Sequence, residues 1–266
     1  MALVSHTPTI LVFDSGLGGL TVFREIVKLR PGARYVYVAD DAYFPYGQHT
    51  EEEIIDRVVP LVGDLIAQHT PDLVVIACNT ASTLVMTHLR EAYGVPFVGT
   101  VPAIKPACSS SKTKRVSVLG TKGTVKREYT KKLIADFAKG CDVTLVGAEN
   151  LANLAEAALR GEHASDEAVA AEIAPCFVDG DARTDTVVLA CTHYPLLLGQ
   201  MAALAPWPVN WIDPAPAIAR RVSDLLGSAN GLGETHRAEF IFTSGQLPSP
   251  VLADALEPFF GSREVA

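Results

Sequence analysis

Two of the five cysteines in this chain have matching local sequences. Cys78 ends the run LVVIAC and Cys191 ends the run TVVLAC, and two polar residues follow each of them. Each thiol therefore stands where an apolar strand gives way to a turn, and backbone N–H groups exposed on the way into a helix favour a thiolate there. A lone cysteine is usually a small buried hydrophobe, but the repeated setting indicates a pair of proton-transferring thiols.

The other three cysteines, Cys108, Cys141 and Cys176, stand singly in the sequence. They form no CxxC pair and no close cluster with histidine, which are the spacings of structural zinc sites. We predict that these three are buried free thiols and that the chain binds no metal.

A glycine-rich stretch begins at Asp14 and Ser15, directly after an apolar run. Its spacing superficially matches the start of a dinucleotide-binding fingerprint, with Asp40 at the distance of a ribose-binding acid. However, Thr21 stands where the third glycine would be needed, and an acid just before the turn would repel a pyrophosphate. We therefore predict a tight turn that presents Asp14 and Ser15 to a small ligand.

Further candidates lie in a proline-glycine turn and beside the second cysteine. The backbone N–H groups of Tyr46 and Gly47 could bind a carboxylate. His193, two residues after Cys191, could transfer a proton to or from a bound group. Glu149, at the start of an alanine-rich helix, could orient that histidine.

Alternating β-rich and helical segments surround these residues and predict an α/β fold of parallel strands joined by crossover helices. The predicted strands are 9–13, 34–39, 73–77, 115–119, 143–146, 186–190 and 240–243. The predicted helices include 19–29, 51–68, 125–139, 151–159 and 251–260. In such sheets ligands bind beyond the carboxyl ends of the strands, which is where both motif cysteines stand.

The repeated strand-cysteine motif predicts two pseudo-symmetric parallel-sheet α/β domains, with the active site in the interdomain cleft. Residues 1–100 and 211–266 would form the first domain, because the late strand at 240–243 could rejoin the first half. Residues 101–210 would form the second domain. This arrangement would bring both thiols to one cleft.

Composition excludes several classes of function. The 266 residues are 48% hydrophobic, which is enough for a substantial core, and the formal net charge of −8 argues against general nucleic-acid binding. No apolar run approaches the roughly 18 residues of a membrane span, and the N-terminal stretch lacks the features of a secretory signal. We expect a cytoplasmic protein that binds neither nucleic acid nor membrane and holds any anionic substrate with local donors.

Five segments, in this order, resemble those of the glutamate racemases of bacterial cell-wall synthesis: FDSGLGGLTV, DDAYFPYG, VVIACNTAS, VLGTKGTV and VVLACTHYPLL. The resemblance covers nearly the whole chain. It implies interconversion of L- and D-glutamate for peptidoglycan precursors, without a cofactor. Glutamate is then the expected small-molecule substrate, and a homodimer is compatible with the resemblance.

The resemblance also implies roles for individual residues. Cys78 would abstract the α-proton of D-glutamate, and Cys191 that of L-glutamate. Asp14 would assist the first thiol and His193 the second, with Glu149 as a further auxiliary acid. The implied substrate-binding residues are Asp14, Ser15, Tyr46, Gly47, Asn79, Thr80, Thr121, Thr124, Thr192 and His193.

Two features depart from the family pattern. Tyr43 stands two positions before the proline of the PYG turn, where many members have a basic residue. Some members also carry a longer N-terminal extension linked to activation by a cell-wall precursor. The first predicted strand here begins at residue 9, so we do not expect that regulation.

Three alternatives remain open at the level of sequence. An aspartate or hydantoin racemase of the same superfamily would share both thiols and differ in pocket size, where one methylene is worth roughly 1–3 kcal/mol. A regulatory protein that keeps the fold, for example one acting on a topoisomerase, would show a broken cysteine pair. A nucleotide-dependent oxidoreductase is disfavoured by the incomplete glycine pattern.

Overall fold

The computed structural model describes residues 7–227 and 237–257. Packing divides the chain into two units, one formed by residues up to Thr100 together with those from Ala215 onward, and one formed by Val101–Pro214. The second boundary lies four residues beyond the predicted position of 210, because the segment Asn210–Ile212 forms a strand of the second unit's sheet.

Every strand pair in the described chain is parallel. In chain order the strands are β1 Thr9–Asp14, β2 Arg34–Ala39, β3 Leu73–Ile76, β4 Phe97–Gly99, β5 Arg115–Thr121, β6 Asp142–Ala148, β7 Thr186–Ala190, β8 Asn210–Ile212 and β9 Arg237–Phe242. The first unit has a sheet of order β4-β3-β1-β2-β9, and the second has a sheet of order β6-β5-β7-β8. The predicted α/β class with two parallel sheets is confirmed.

Helices connect these strands, as parallel pairing requires. They are α1 Leu20–Leu29, α2 Glu51–His69, α3 Asn79–Ala92, α4 Ile104–Ser110, α5 Lys122–Lys126, α6 Glu128–Phe137, α7 Leu151–Leu159, α8 Asp166–Ile173, α9 Leu198–Leu204, α10 Ala215–Leu226 and α11 Pro250–Leu256. No helix in the described part of the chain is long and apolar enough to cross a membrane.

The strands that lead to the two motif cysteines are buried along their whole length. All residues of β3 and β7 are buried, as the continuous apolar runs predicted for strands covered on both faces. The helix α2 begins with a capping box, in which the Thr50 hydroxyl accepts from the Glu53 N–H and the Glu53 carboxylate accepts from the Thr50 N–H. The apolar runs and the capping residues in the sequence therefore agree with the strands and the helix that the structure shows.

The structure differs from the sequence prediction at several elements. The helix predicted at 125–139 is divided into α5 and α6 by Arg127, whose backbone is extended with φ −63° and ψ 139°. The strands β4 and β8 have three residues each and were not predicted, because so short a run carries little periodicity. The strand predicted at 240–243 is β9, which pairs with β2. The helix predicted at 251–260 is α11, and residues 258–260 of that prediction lie outside the described residues.

Candidate functional site

Cys78 lies between β3 and the first turn of α3. It is the N-cap residue of that 14-residue helix, and only 5% of its surface is exposed. Its carbonyl oxygen accepts the Ser82 N–H at 2.9 Å, which begins the helical ladder. The positive end of a helix favours negative charge, so this position suits a thiolate.

The glycine-rich turn after β1 lies against the Cys78 thiol. The Ser15 hydroxyl is 3.5 Å from the Cys78 sulfur. The buried Asp14 carboxylate accepts the Gly16 N–H at 2.9 Å and faces the Ser15 hydroxyl at 3.4 Å. A Cβ atom on Gly19 would lie 2.7 Å from Asp14 Cβ, so this glycine permits the close approach of the turn to Asp14. The structure thus brings the predicted Asp14 and Ser15 together with Cys78.

Two further predicted residues occupy the first turn of α3. Asn79 and Thr80 are both buried. Neither the nitrogen nor the oxygen of the Asn79 amide has a hydrogen-bond partner among the described residues. A buried amide left in that condition costs about 1–3 kcal/mol, so Asn79 is suited to receive a polar ligand.

The PYG turn is a short 3-10 segment, Tyr46–Gln48, whose tyrosine points inward. The buried Tyr46 phenol donates a hydrogen bond of 2.6 Å to Asp40. Burial, together with the charge of Asp40, raises the pKa of Tyr46, so the phenol stays protonated and acts as a donor. Tyr46 packs in the same apolar cluster as Cys78.

Cys191 directly follows β7, and its neighbours differ from those of Cys78. Its sulfur is 3.9 Å from Nδ1 of His193, and 7% of its surface is exposed. His193 is buried, and its Nε2 is 2.8 Å from a carboxylate oxygen of Glu156. The other oxygen of Glu156 accepts from Arg160 at 3.2 Å. Cys191, His193 and Glu156 therefore form a thiol–imidazole–carboxylate chain.

The charge state of His193 follows from these contacts. Burial alone would lower the pKa of the imidazole, but its contacts with Cys191 and Glu156 outweigh that effect and raise the pKa well above the usual value. An imidazolium at this distance is placed to stabilise a thiolate on Cys191.

Comparison with known proteins identifies the family. Residues 10–222 match the family model described as Asp/Glu/hydantoin racemase. Glutamate racemase of Sinorhizobium fredii is 57% identical over 240 residues, which are 89% of this chain and 90% of the relative. Glutamate racemase of Brucella canis is 53% identical over 253 residues, which are 94% of this chain and 91% of the relative.

The chain belongs to the glutamate racemases of the Asp/Glu/hydantoin racemase family. It is thus an isomerase, an amino-acid racemase. Solved structures agree with this assignment. Escherichia coli glutamate racemase in complex with L-glutamate and the activator UDP-MurNAc-ala has a TM-score of 0.86 and 39% identity, with 96% of each chain covered. The isoform RacE1 of Bacillus anthracis has a TM-score of 0.80 and 29% identity over 96% of this chain and 94% of the other.

One predicted contact of this racemase is wrong. The carboxylate of Glu149 is exposed and pairs with Lys122 at 2.8 Å, and this pairing lowers its pKa. It does not reach His193, because Glu149 precedes the first residue of α7 and turns toward the lysine. Glu156, two helical turns further along α7, makes that contact instead. The sequence feature that could have identified Glu156 is its position on the buried, alanine-rich face of α7.

Three further predicted binding residues of the racemase are Thr121, Thr124 and Thr192. Thr121 caps α5 by accepting the Thr124 N–H at 3.1 Å, and the two hydroxyls are 3.0 Å apart. Thr192 is buried beside His193. The contacts fix Thr121 and Thr124 locally, and the roles of all three threonines in binding stay predictions.

The other cysteines of the racemase have different surroundings, in which Cys108 and Cys141 are hydrogen-bonded to each other and Cys176 is buried. Burial raises the pKa of Cys176 to about 12. Burial, reinforced by Cys141, also raises that of Cys108 to about 12. Both thiols are therefore protonated at neutral pH. Within residues 7–227 and 237–257, no group of three or more His, Cys, Asp or Glu side chains could hold a metal ion.

Proposed function

We propose that this racemase interconverts L- and D-glutamate without a cofactor and thereby supplies D-glutamate for peptidoglycan. Support for the substrate comes from the relatives, which are named glutamate racemases at 53% and 57% identity. Further support comes from the E. coli structure, which was solved with L-glutamate at 39% identity.

The observation that carries the proposal is that each motif cysteine has its own proton-handling neighbour. Cys78 has Ser15 at 3.5 Å beside the buried Asp14, and Cys191 has His193 at 3.9 Å. In the proposed reaction the thiolate of Cys191 removes the α-proton of L-glutamate and becomes a thiol. The thiol of Cys78 then gives its proton to the opposite face of the α-carbon and becomes a thiolate. The reverse direction exchanges the two roles.

Developing negative charge must be stabilised while the α-proton is absent. We assign this task to fixed polar groups, because a closed and preorganised site stabilises charge without reorganisation. Asp14 assists proton transfer near Cys78, and His193 does so near Cys191, with Glu156 orienting the imidazole. The proposed ligands of the substrate's carboxylates and ammonium group are Asp14, Ser15, Tyr46, Gly47, Asn79, Thr80, Thr121, Thr124, Thr192 and His193.

The proposal requires both cysteines to face one substrate. It includes the division into two domains with the active site in the cleft between them, and a homodimer as the assembled form. Light scattering tests the assembly directly. A mass of only 28.3 kDa at working concentrations would contradict the dimer.

The test of the proposed function is to follow optical rotation with purified protein and no added cofactor. L-glutamate and D-glutamate should each lose rotation until the racemic mixture is reached, at equal kcat/KM because the enantiomers have equal free energy. L-aspartate should react at least about tenfold more slowly, as one methylene discriminates. Faster turnover of aspartate than of glutamate would contradict the proposed substrate.

A further inference from the structure

Asp40, the acid that followed the glycine-rich turn in the sequence, is fully buried at the end of β2. Its side chain is 0% exposed, and burying an ionised carboxylate is costly unless it is paired. It accepts hydrogen bonds from Arg57 at 2.7 and 3.2 Å, from Tyr46 at 2.6 Å and from Thr243 at 2.6 Å. We call Asp40, Tyr46, Arg57 and Thr243 the Asp40 cluster.

These hydrogen bonds keep Asp40 ionised. Burial alone would raise the pKa of Asp40, but the bonds from Arg57, Thr243 and Tyr46 outweigh it and hold the pKa below its ordinary value. The Arg57 guanidinium also neutralises the carboxylate, which would otherwise repel an anionic substrate. The same guanidinium lies 5.9 Å from the centre of the Tyr43 ring.

The cluster joins parts of the first unit that are distant in sequence. The Asp40 N–H donates to the carbonyl of Asp14 at 2.9 Å, so the backbone of the cluster continues into the turn beside Cys78. Thr243 comes from the turn after β9, and its hydroxyl also accepts the Ala42 N–H at 3.2 Å. Ser244 adds a hydrogen bond of 2.6 Å to Asp41. The turn after β9 is thus fastened to the loop that carries Asp40.

The cluster also fixes the PYG turn. The Tyr46 phenol donates a charge-assisted hydrogen bond to Asp40, so a movement of the turn that displaces the Tyr46 side chain would break this bond. Tyr43 stacks on His49 with ring centres 3.8 Å apart, which restrains the two ends of the same loop. Every one of these contacts lies within the first unit.

We propose that Asp40, Arg57 and Thr243 are positioning residues for substrate binding, which hold the Tyr46 and Gly47 backbone in the geometry that receives a carboxylate of the amino-acid substrate. The turn after β9 thereby belongs to the binding machinery, although it lies about 200 residues further along the chain. This inference rests on the proposed function. It assigns the cluster an effect on KM and none on the proton transfers at the two thiols.

The sharpest test replaces one hydroxyl. Thr243→Val removes the hydrogen bond to Asp40 at nearly constant volume, Thr243→Ser keeps it, and Thr87→Val on the exposed face of α3 is the matched control. Steady-state rates with L- and D-glutamate give kcat and KM, and thermal unfolding gives Tm. We expect Thr243→Val to raise KM for both enantiomers roughly three- to tenfold, with kcat within about twofold of wild type. Thr243→Ser should restore KM, and Thr87→Val should change neither constant.

A second variant guards against misfolding of the first. Tyr46→Phe removes the other hydroxyl from Asp40 and should raise KM in the same direction with kcat retained. If KM stays at the wild-type value in both Thr243→Val and Tyr46→Phe, the cluster is merely structural and the inference is wrong, whether or not Tm falls. A fall in kcat at constant KM would also overturn it. Wild-type turnover of glutamate is measured first, so failure of the proposed function is distinguished from failure of this inference.

Discussion

The surroundings of Cys78 and Cys191 differ, although each thiol follows a fully buried parallel strand. Cys78 caps the 14-residue helix α3 and has a hydroxyl and a carboxylate nearby. Cys191 is followed by the short 3-10 segment Tyr194–Leu197, and its polar neighbour is an imidazole backed by Glu156. One region can stabilise a thiolate with a helix terminus, and the other with a buried cation. The group that favours a thiolate is therefore the N-terminus of α3 at Cys78 and the His193 side chain at Cys191.

The largest expected effect comes from removing either thiol. Cys78→Ala and Cys191→Ala should each lower kcat/KM in both directions by a factor on the order of 10⁴ or more, because each direction of the proposed reaction uses one thiolate and one thiol. Optical rotation measures the loss, and circular dichroism checks the fold. If folded Cys78→Ala retained substantial activity, the assignment of this residue would be wrong.

The second prediction separates the two regions by their assisting groups. His193→Asn should lower kcat/KM by about 10²-fold, as loss of acid–base assistance does, and Ser15→Ala by about tenfold, as loss of a hydrogen bond to a charged group does. Because L- and D-glutamate have equal free energy, each variant must lose equally in both directions. The difference between the His193→Asn and Ser15→Ala variants should appear in the primary isotope effects measured with α-deuterated L- and D-glutamate.

These isotope effects have opposite expected directions in the two variants. In the proposed reaction the proton of L-glutamate goes to Cys191. His193→Asn should therefore increase the isotope effect with L-glutamate and decrease it with D-glutamate, since the slowed proton transfer at Cys191 becomes rate-limiting. Ser15→Ala should do the reverse. Equal changes for both enantiomers in either variant would show that the neighbour does not act on one thiol alone.

A smaller effect is expected from substituting Glu156, the carboxylate that contacts Nε2 of His193. Glu156→Gln removes a charge that raises the pKa of His193, so the imidazolium should be lost at a lower pH. The alkaline limb of the kcat/KM profile should therefore move to lower pH, with a loss of roughly tenfold at its plateau. Glu149→Gln is the matched control, and it should leave the profile unchanged because Glu149 pairs with Lys122.

The same variant should change the pH dependence of stability. A raised pKa in the folded state contributes stability that is fully present below the unfolded pKa of about 6.5 and is lost as pH rises through the folded pKa. Wild type should therefore lose this contribution between about pH 6.5 and its raised folded pKa, whereas Glu156→Gln, whose folded pKa is raised less, should have a smaller contribution that is lost completely at a lower pH. Urea unfolding across the pH series would contradict this assignment if both proteins gave parallel curves.

The smallest expected effect is at the remaining cysteines. Cys108→Ala, Cys141→Ala and Cys176→Ala should keep kcat/KM within about twofold of wild type, because none of these cysteines lies in the repeated strand-cysteine motif. Each substitution should cost about 1 kcal/mol of stability where the thiol is buried. A large fall in turnover of a folded Cys176→Ala protein would show that the two-cysteine account is incomplete.

The sequence was sufficient for the α/β class and the family because these depend on local patterns. Apolar runs such as β3 and β7 are legible without tertiary information. The carboxylate partner of His193 was misassigned to Glu149, because a helix boundary and a side-chain direction decide between Glu149 and Glu156. The Asp40 cluster could not be predicted from the sequence, since Thr243 reaches Asp40 only because β9 pairs with β2. Contacts between distant segments are what the sequence could not supply.

The two-base claim is tested most directly by racemisation in deuterated water. Starting from protiated L-glutamate and stopping the reaction early, mass spectrometry measures α-deuterium in the separated enantiomers. If different thiols remove and deliver the proton, the D-glutamate formed should carry deuterium while the remaining L-glutamate stays largely protiated. Protium retained in the product, or rapid entry of deuterium into unreacted substrate, would indicate a single base that serves both faces and would contradict the account.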